Sequence, residues 1–559
     1  MLHSTAMERA TNGLSGRAAT ALGGGVKYGR IAWTIARSGI VPLRLHRGAP
    51  ILPALLRYGT TIAGLYAGAA AAVGDRPAIV DDHGMVTFAE LDHRAGALAA
   101  AMSRELDVTA GSTVGLLARN HAGFVEALLA CGRIGAHVIL LNTGMSPAQA
   151  AVVAEQQGIE VLVVDVDLLD KLEEVDADVP RVLCGTGPDD HDGWTTQTLV
   201  AAGVGRPEPP KPAEHGRTVV MTSGTTGAPK GAQRPSSGGP DALAAILSRI
   251  PVRADEASLV LPPLFHTWGL ANLQIAAAMR STVVLRRRFE PAQALADLSA
   301  HRCTVMAAVP VMLQRILELA PDERPQRDFA HLRIVASSGS ALPGPLATKW
   351  MEAFGPTLYN LYGSTEVSWA TIATPEDLRA APGTAGKPPL GTALRVLDDD
   401  GRDVPAGEIG RIFVGNDLLF EGYTGDVAGK ESIDGLMATG DVGSLDAEGR
   451  LYVSGRDDDM IVSGGENVFP KEVEDLLAHR DDVKEAAVIG VDDEEFGQRL
   501  AAFVVPTDRD NPPDPDELRA HVKANLANFS VPRDVTFLDE LPRNPTGKVV
   551  ARDLPGQGS

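Results

Sequence analysis

The densest concentration of chemistry in this 559-residue chain is TSGTTGAPKG, residues 222–231, where Thr222, Ser223, Thr225 and Thr226 interleave with Gly224 and Gly227 ahead of Lys230. The apolar run RTVVM precedes it, the order in which a strand delivers a chain to a phosphate-binding loop. Glycine lets backbone N–H groups approach an anion, the hydroxyls add donors and the lysine adds charge. A Ser/Thr/Gly loop of this kind also serves as a plain turn or linker. The spacing GxxxxGK[ST] is absent, because Lys230 follows Pro229 and precedes Gly231, and this excludes a P-loop NTPase.

Further along lie PLFHTWG with His266 and Trp268, SSGSA with Gly339 and Ser340, and LYGSTE with Leu361, Tyr362, Gly363, Thr365 and Glu366. TGD with Asp441, GRDDDMIVSGGENVFPKEVE with Arg456, Asp458, Gly464, Gly465 and Glu466, and PRNPTGK with Lys548 follow. Taken singly, each reads as structural: the histidine and tyrosine as core, the aspartate as a turn residue, the arginine as a surface ion pair, the lysine as solvated. Taken in order, the motifs resemble the adenylate-forming superfamily, which includes acyl-CoA synthetases, luciferases and the adenylation domains of peptide synthetases. The resemblance runs from about residue 75 to the end and leaves the N-terminal leader outside it.

That resemblance implies a two-step reaction. An acyl carboxylate attacks the α-phosphate of ATP, releasing pyrophosphate and forming an acyl-AMP, and a thiol then displaces AMP. Both steps concentrate negative charge that cations and oriented donors must hold. By the resemblance, the 222–231 loop cradles the β- and γ-phosphates with Lys230 as counter-charge. Glu366, beside Thr365, holds Mg2+ together with Thr225; oxygen ligands suit a hard cation. Tyr362, next to Gly363, stacks on adenine, with Gly339 and Ser340 also on the nucleotide side. Asp441 accepts from the ribose hydroxyls and Arg456 touches ribose or phosphate. Lys548 bridges carboxylate and phosphate during adenylation and leaves when the small domain rotates about a hinge at Asp458. Gly464, Gly465 and Glu466 then line the pantetheine path of CoA. His266, Trp268, Val309, Met312 and Leu361 shape the acyl pocket and thiol entrance. One departure from the family is that Asp457 and Asp459 flank the hinge, where relatives often carry a basic residue.

The implied activity is a long-chain fatty-acyl-CoA ligase using ATP, Mg2+ and CoA. The alternatives are a fatty-acyl-AMP ligase that delivers acyl-adenylate to a carrier protein, and a CoA ligase for aryl or sterol side-chain acids. A non-catalytic binding protein on the same fold is disfavoured because Lys230, Glu366, Asp441 and Lys548 are all present. Oligomeric state is left open, a homodimer included.

The elements that must position these residues are legible in the patterning. TFAELDHRAGALAAAM opens with Thr87 and Glu90 in capping-box positions and carries apolar residues at helical spacing. Apolar runs such as TVGLLA, HVILL and EVLVVDV alternate with helical stretches, one of them opened by Ser146 and Pro147. Runs without period-two alternation predict parallel, doubly wound sheets covered on both faces. A Pro-rich connector at 205–216 leads to the opening loop, and the alternation resumes beyond it as a second sheet. From about Thr392 short strands and tight turns predict a small β-barrel-like subdomain, and from about Asp458 a mobile α+β unit. The expected division is 1–74 leader, 75–457 large AMP-binding domain and 458–559 small domain with the catalytic lysine.

A net charge of −21 excludes general nucleic-acid binding. Three widely spaced cysteines, with no CxxC, argue against a disulfide framework or a zinc site and point to the cytoplasm. The charge is uneven: residues 1–74 carry eight Lys/Arg against Glu8 alone, which leaves −28 for the remainder. Read as a helix, the leader places Lys27, Arg30, Thr34 and Arg37 on one face and Ile31, Ala32, Ile35 and Ala36 around the other. Two outcomes fit: peripheral contact of residues 1–60 with an anionic membrane, or packing of the leader on the acidic body. The uncharged Gly/Ala-rich stretch 58–74 is short for a span and predicts a buried helix. No secretory signal is expected.

Overall fold

A computed structural model describes residues 29–40, 48–184, 193–222, 230–233, 240–320, 329–364, 367–419, 422–423, 430–457, 461–463, 466–493, 497–545 and 547–555. Local start signals act as the sequence predicts. The Thr87 hydroxyl accepts from the Glu90 N–H at 3.2 Å while the Glu90 carboxylate accepts from the Thr87 N–H at 2.8 Å, opening the helix Phe88–Glu105. Ser146 and Gln149 cap Pro147–Gln156 in the same reciprocal way.

The first sheet pairs Arg181–Cys184, Val161–Asp165, Thr113–Leu117, His137–Leu140 and Thr218–Thr222 in parallel, in that spatial order. Lys230–Gln233 and Gly422–Tyr423 extend it antiparallel at one edge. The second sheet runs Thr371–Ala373, Leu358–Tyr362, Ile334–Ser337, Val305–Ala308, Ala257–Val260, Thr282–Val284, Pro77–Asp81, Gly84–Thr87. Its two outer strands are antiparallel to their neighbours, a difference from the all-parallel expectation. At the Pro77–Asp81 edge the cause is length, since a connection of two residues joins only antiparallel strands. Val161–Asp165 is buried at every position, as its unbroken apolar run requires.

Beyond these lie a five-stranded antiparallel sheet built on Ala393–Leu397, Gly410–Gly415, Leu436–Leu445 and Leu451–Arg456, with Ser432–Ile433 at its edge, and a C-terminal sheet. In the latter Val483–Asp493 and Gly497–Pro506 form the long hairpin, and Asp534–Phe537 adds in parallel to its second strand. The uncharged Gly/Ala-rich stretch forms the helix Ile62–Val73, largely buried in the main core, as expected. Residues 29–38 are helical and pack on the body through Ile31, Thr34 and Ser38. Thr34, expected on the basic face, is thus buried, because the covered stripe follows i, i+3, i+7 through it. No helix among the described residues is long and apolar enough to cross a membrane. The three cysteines are buried.

One buried polar contact ties the first sheet to the site. His121 Nε2 lies 2.7 Å from Asp165 Oδ1, with the two side chains 2% and 0% exposed. The other Asp165 oxygen accepts from the Arg119 N–H at 3.0 Å and from Arg287 at 3.1 Å. The neighbouring Asn120 side chain donates to the Pro262 carbonyl at 2.9 Å and accepts from the Leu264 N–H at 2.8 Å, pinning the turn ahead of His266 and Trp268. Burial alone would raise the Asp165 carboxyl, but the hydrogen bond and charge of His121 and the charge of Arg287 outweigh it and hold it below the usual carboxylate value. Its stabilising contribution is therefore present above the ordinary carboxylate pKa and is lost as pH falls through the depressed value. We predict that Asp165→Asn, which strands the buried His121 and leaves Arg287 to Asp167 alone, lowers the unfolding free energy at neutral pH by about 3–5 kcal/mol. Urea titrations should show the gap to wild type closing as the pH drops below the carboxylate range.

Candidate active site

The phosphate-loop candidate is held as a hairpin: Thr222 ends the strand Thr218–Thr222, Lys230 begins the returning strand Lys230–Gln233, and the two pair across the ladder. The loop residues Ser223, Gly224, Thr225, Thr226 and Gly227 lie outside the described residues, as do Thr365, Glu366, Asp458, Gly464 and Gly465. For Thr222, Lys230 and Glu466 only the backbone strand position is described.

The described part of the site centres on Tyr362 and Asp441. Tyr362 ends the strand Leu358–Tyr362, and its hydroxyl donates to Asp441 Oδ2 at 2.5 Å. Gly363 follows where a side chain has no room, since a Cβ there would sit 2.3 Å from the Ser368 carbonyl. Asp441 lies in the strand Leu436–Leu445 directly opposite Arg456 of Leu451–Arg456, a register that brings Arg456 Nη1 within 4.0 Å of Asp441 Oδ1. Lys430 completes the cluster: its ammonium is 3.5 Å from the Thr439 carbonyl and 3.0 Å from where a Cβ on Gly440 would stand. Gly440, at φ +84°, leaves that space to the two cations.

Burial raises the Asp441 carboxyl above its ordinary value, opposed by the Tyr362 hydroxyl and by the positive charges of Arg456, Lys430 and Lys548. The Tyr362 phenol is pushed well up by burial and by the adjacent Asp441 charge. Lys548 thus acts on the same carboxylate as two cations from the antiparallel sheet. Its own turn is braced, with the Asn544 side chain accepting from the Lys548 N–H at 3.0 Å and Arg543 donating to the Gly547 carbonyl at 2.6 Å and to Glu485 at 2.7 Å. The turn seats on the large body. Gly547, at φ +82°, faces Val311 and Val309, whose methyls are 3.0 and 3.2 Å from where a Cβ would be, and Pro545 packs on Gly144. Lys484 pairs with Glu318 at 2.9 Å across the same junction.

An apolar cleft lies between the helix Thr267–Ala278 and the second sheet, lined by Trp268, Ile246, Val260, Ile275, Ala307 and Ala336, with Ser258 and Asn272 as its polar members. Its free volume is about 20 Å³, near the room of one water. Trp268 is fixed by its indole N–H donating to the Ala308 carbonyl at 3.0 Å. Of the expected acyl-pocket residues, Trp268 lines this cleft. Val309, Met312 and Leu361 are buried in the same core without lining it, and Val309 instead meets the Gly547 turn. His266 is half-buried at the residue preceding the Trp268 helix, and Gly339 and Ser340 are half-buried in the turn after Ile334–Ser337.

Comparison with known proteins agrees with this arrangement. Residues 67–424 match the AMP-binding enzyme family and residues 472–548 its C-terminal domain. The chain belongs to the AMP-binding enzyme family. It is 32% identical over 481 residues to an indoleacetate–CoA ligase of Aromatoleum aromaticum, covering 84% of this chain and 92% of that one. It is also 32% identical over 514 residues to a 3-[(3aS,4S,7aS)-7a-methyl-1,5-dioxo-octahydro-1H-inden-4-yl]propanoyl:CoA ligase of Rhodococcus jostii, covering 87% and 96%. A solved o-succinylbenzoate CoA synthetase of Bacillus subtilis, in complex with ATP and magnesium ion, superimposes with a TM-score of 0.73 at 28% identity, covering 88% and 98%.

Two residues of this AMP-binding enzyme's site escape sequence reasoning. Lys430 stands in GKESIDGLMATGD with no spacing to mark it, and Gly547 is hidden inside a motif read only for its lysine. We predict that Gly547→Ala slows ATP–pyrophosphate exchange about tenfold, from the ~1–2 kcal/mol cost of a left-handed Ala. The two valines tighten that effect. Unchanged exchange in this variant, with an unchanged melting temperature, would show that the seat of the Lys548 turn is unimportant.

Proposed function

We propose that this enzyme is an AMP-forming acid–CoA ligase for an aromatic or fused-ring carboxylic acid. The observation that supports the adenylation chemistry is Asp441 held by Tyr362 and faced by Arg456, with Lys430 next to them and the charge of Lys548 acting on the same carboxylate. Of the readings open at sequence level, a CoA ligase for aryl or sterol side-chain acids now takes precedence over a long-chain fatty-acyl-CoA ligase. Relatives named for indoleacetate, for a fused-ring propanoate and for succinylbenzoate support it.

In this reading Asp441 accepts the ribose hydroxyls and Arg456 and Lys430 hold phosphate charge. Lys548 bridges the acid carboxylate and the α-phosphate, and the unit from residue 458 onward carries it in and out. Tyr362, held by Asp441, offers its ring to adenine. By residue type, the hydroxyl of Thr225 and the carboxylate of Glu366 would offer oxygen donors suited to Mg2+. When bound, the ion would neutralise triphosphate charge. The site works in the cytoplasm, where ATP and CoA are at hand.

Lys548→Ala is predicted to lose about 10²–10³ in acyl-AMP formation, the scale of one transition-state donor. Thioester formation from supplied acyl-AMP should persist, and equal loss of both steps would remove the bridging role. Assaying CoA-dependent AMP release over straight-chain, arylacetic, cinnamic, benzoic and sterol-derived acids tests the substrate class. Ring-bearing acids should lead, and faster turnover of straight-chain acids would return the fatty-acyl reading. AMP release that needs an amine or a carrier protein instead of CoA would overturn the thiol assignment.

A further inference from the structure

The family match begins at residue 67, and the basic segment ahead of it takes no part in the site described above. Its described portions have an unusual surface. The 29–38 helix is fastened to the body from beneath, with Ile31, Thr34 and Ser38 buried. The Ser38 carbonyl accepts from the Ala254 N–H at 2.8 Å, and Arg280 donates to the Gly39 and Ile40 carbonyls at 2.9 and 2.8 Å. So fixed, the helix turns Arg30, Trp33 and Arg37 outward. Trp33 is 62% exposed, and the Arg37 guanidinium lies 4.7 Å from its ring centroid.

The helix Ile51–Tyr58 repeats the pattern. Tyr58 is buried, Arg57 donates to the Pro209 carbonyl at 2.9 Å and Lys211 to the Leu56 carbonyl at 2.7 Å. Leu52 and Leu56, one turn apart, face outward at 58% and 65% exposure. Trp33, Leu52 and Leu56 are three of the four most exposed large apolar side chains among the described residues. All three fall within one short stretch of a long chain. Ile40 and Gly48, where the description of the chain stops and resumes between the two helices, stand at most ~29 Å apart.

Charge selects what covers them. The leader carries +7 and the rest of the chain −28. A polyanionic surface therefore attracts the leader and opposes the net charge of the rest of the chain, which favours one orientation. Nucleic acid offers phosphates but no apolar layer for two leucines. A bilayer with anionic headgroups offers both, and an amphipathic Trp beside Arg is suited to the boundary between them.

We propose that the face formed by Arg30, Trp33, Arg37, Leu52 and Leu56 docks peripherally on an anionic lipid bilayer. Trp33, Leu52 and Leu56 enter the headgroup–acyl boundary and the two arginines pair with lipid phosphates. Lacking any spanning helix among the described residues, the enzyme is held reversibly and in one orientation. The inference is independent of which acid the active site takes, since none of these residues lines the cleft or the cation cluster.

The test uses the full chain in sedimentation with vesicles of phosphatidylcholine alone and of phosphatidylcholine with phosphatidylglycerol. Binding is expected to the mixed vesicles only, with release at high salt and a blue shift of Trp fluorescence that Trp33→Phe abolishes. The triple variant Trp33→Ser, Leu52→Ser, Leu56→Ser and, separately, Arg30→Glu with Arg37→Glu should each weaken binding about tenfold or more. Turnover in vesicle-free solution should be unchanged. Failure of the wild type to sediment with mixed vesicles, or full binding by both variants, overturns the proposal. So does a lipid-free dimer that the triple variant dissolves, which would make a second copy the occupant, and so does salt-sensitive RNA binding without vesicle binding.

Discussion

The structure is organised around one electrostatic problem: three cations from separate segments converge on one buried carboxylate. Like charges gathered around one carboxylate repel one another, and the single charge of Asp441 offsets only part of that repulsion. The cluster of Lys430, Arg456 and Lys548 is therefore built for an anion larger than the one the protein supplies. Two of the cations are fixed by the antiparallel sheet, Arg456 by its register opposite Asp441 and Lys430 by its place over Gly440. The third arrives on a different sheet system, and this arrangement allows it to leave.

Departure requires a light junction. The contacts that seat the Lys548 turn are a proline on Gly144, a left-handed glycine against two valines, and a half-exposed Lys484–Glu318 pair. Exposed ion pairs contribute little. The turn itself is rigid, braced by Asn544 and Arg543, so the lysine is presented in one geometry while its attachment to the large body stays weak. By contrast the frame beneath the acid cleft is anchored by buried polar contacts, His121–Asp165 and Asn120 with 262–264, which cannot be broken cheaply. In the proposed reaction, rigidity would sit beneath the Trp268 turn and looseness where Lys548 would exchange.

The basic leader and the acidic body divide surface roles in a comparable way. An enzyme taking the ring-bearing acid proposed above would meet its substrate at low aqueous concentration, and a body carrying −28 has no general affinity for anionic surfaces. The exposed Trp33, Leu52 and Leu56, backed by arginines, are the one edge where that repulsion is reversed.

Much of this was legible from sequence because its causes are local. Thr87 with Glu90 and Ser146 with Gln149 cap helices through atoms three residues apart, and the unbroken run at Val161–Asp165 can only be a strand buried on both faces. The ordered motifs were enough to name the family, since each keeps its chemistry within a few residues. What they could not supply was which distant segments meet. Nothing in PAIVD says that Pro77–Asp81 leaves its neighbours in sequence to lie parallel to Thr282–Val284 in the second sheet. Nothing around Lys430 says that it will stand over Gly440, and nothing in the heptad-like leader says that Thr34 will be the buried stripe. Those outcomes follow from strand register and helix docking, which are set by the sum of many long-range contacts, and so only the tertiary structure decided them.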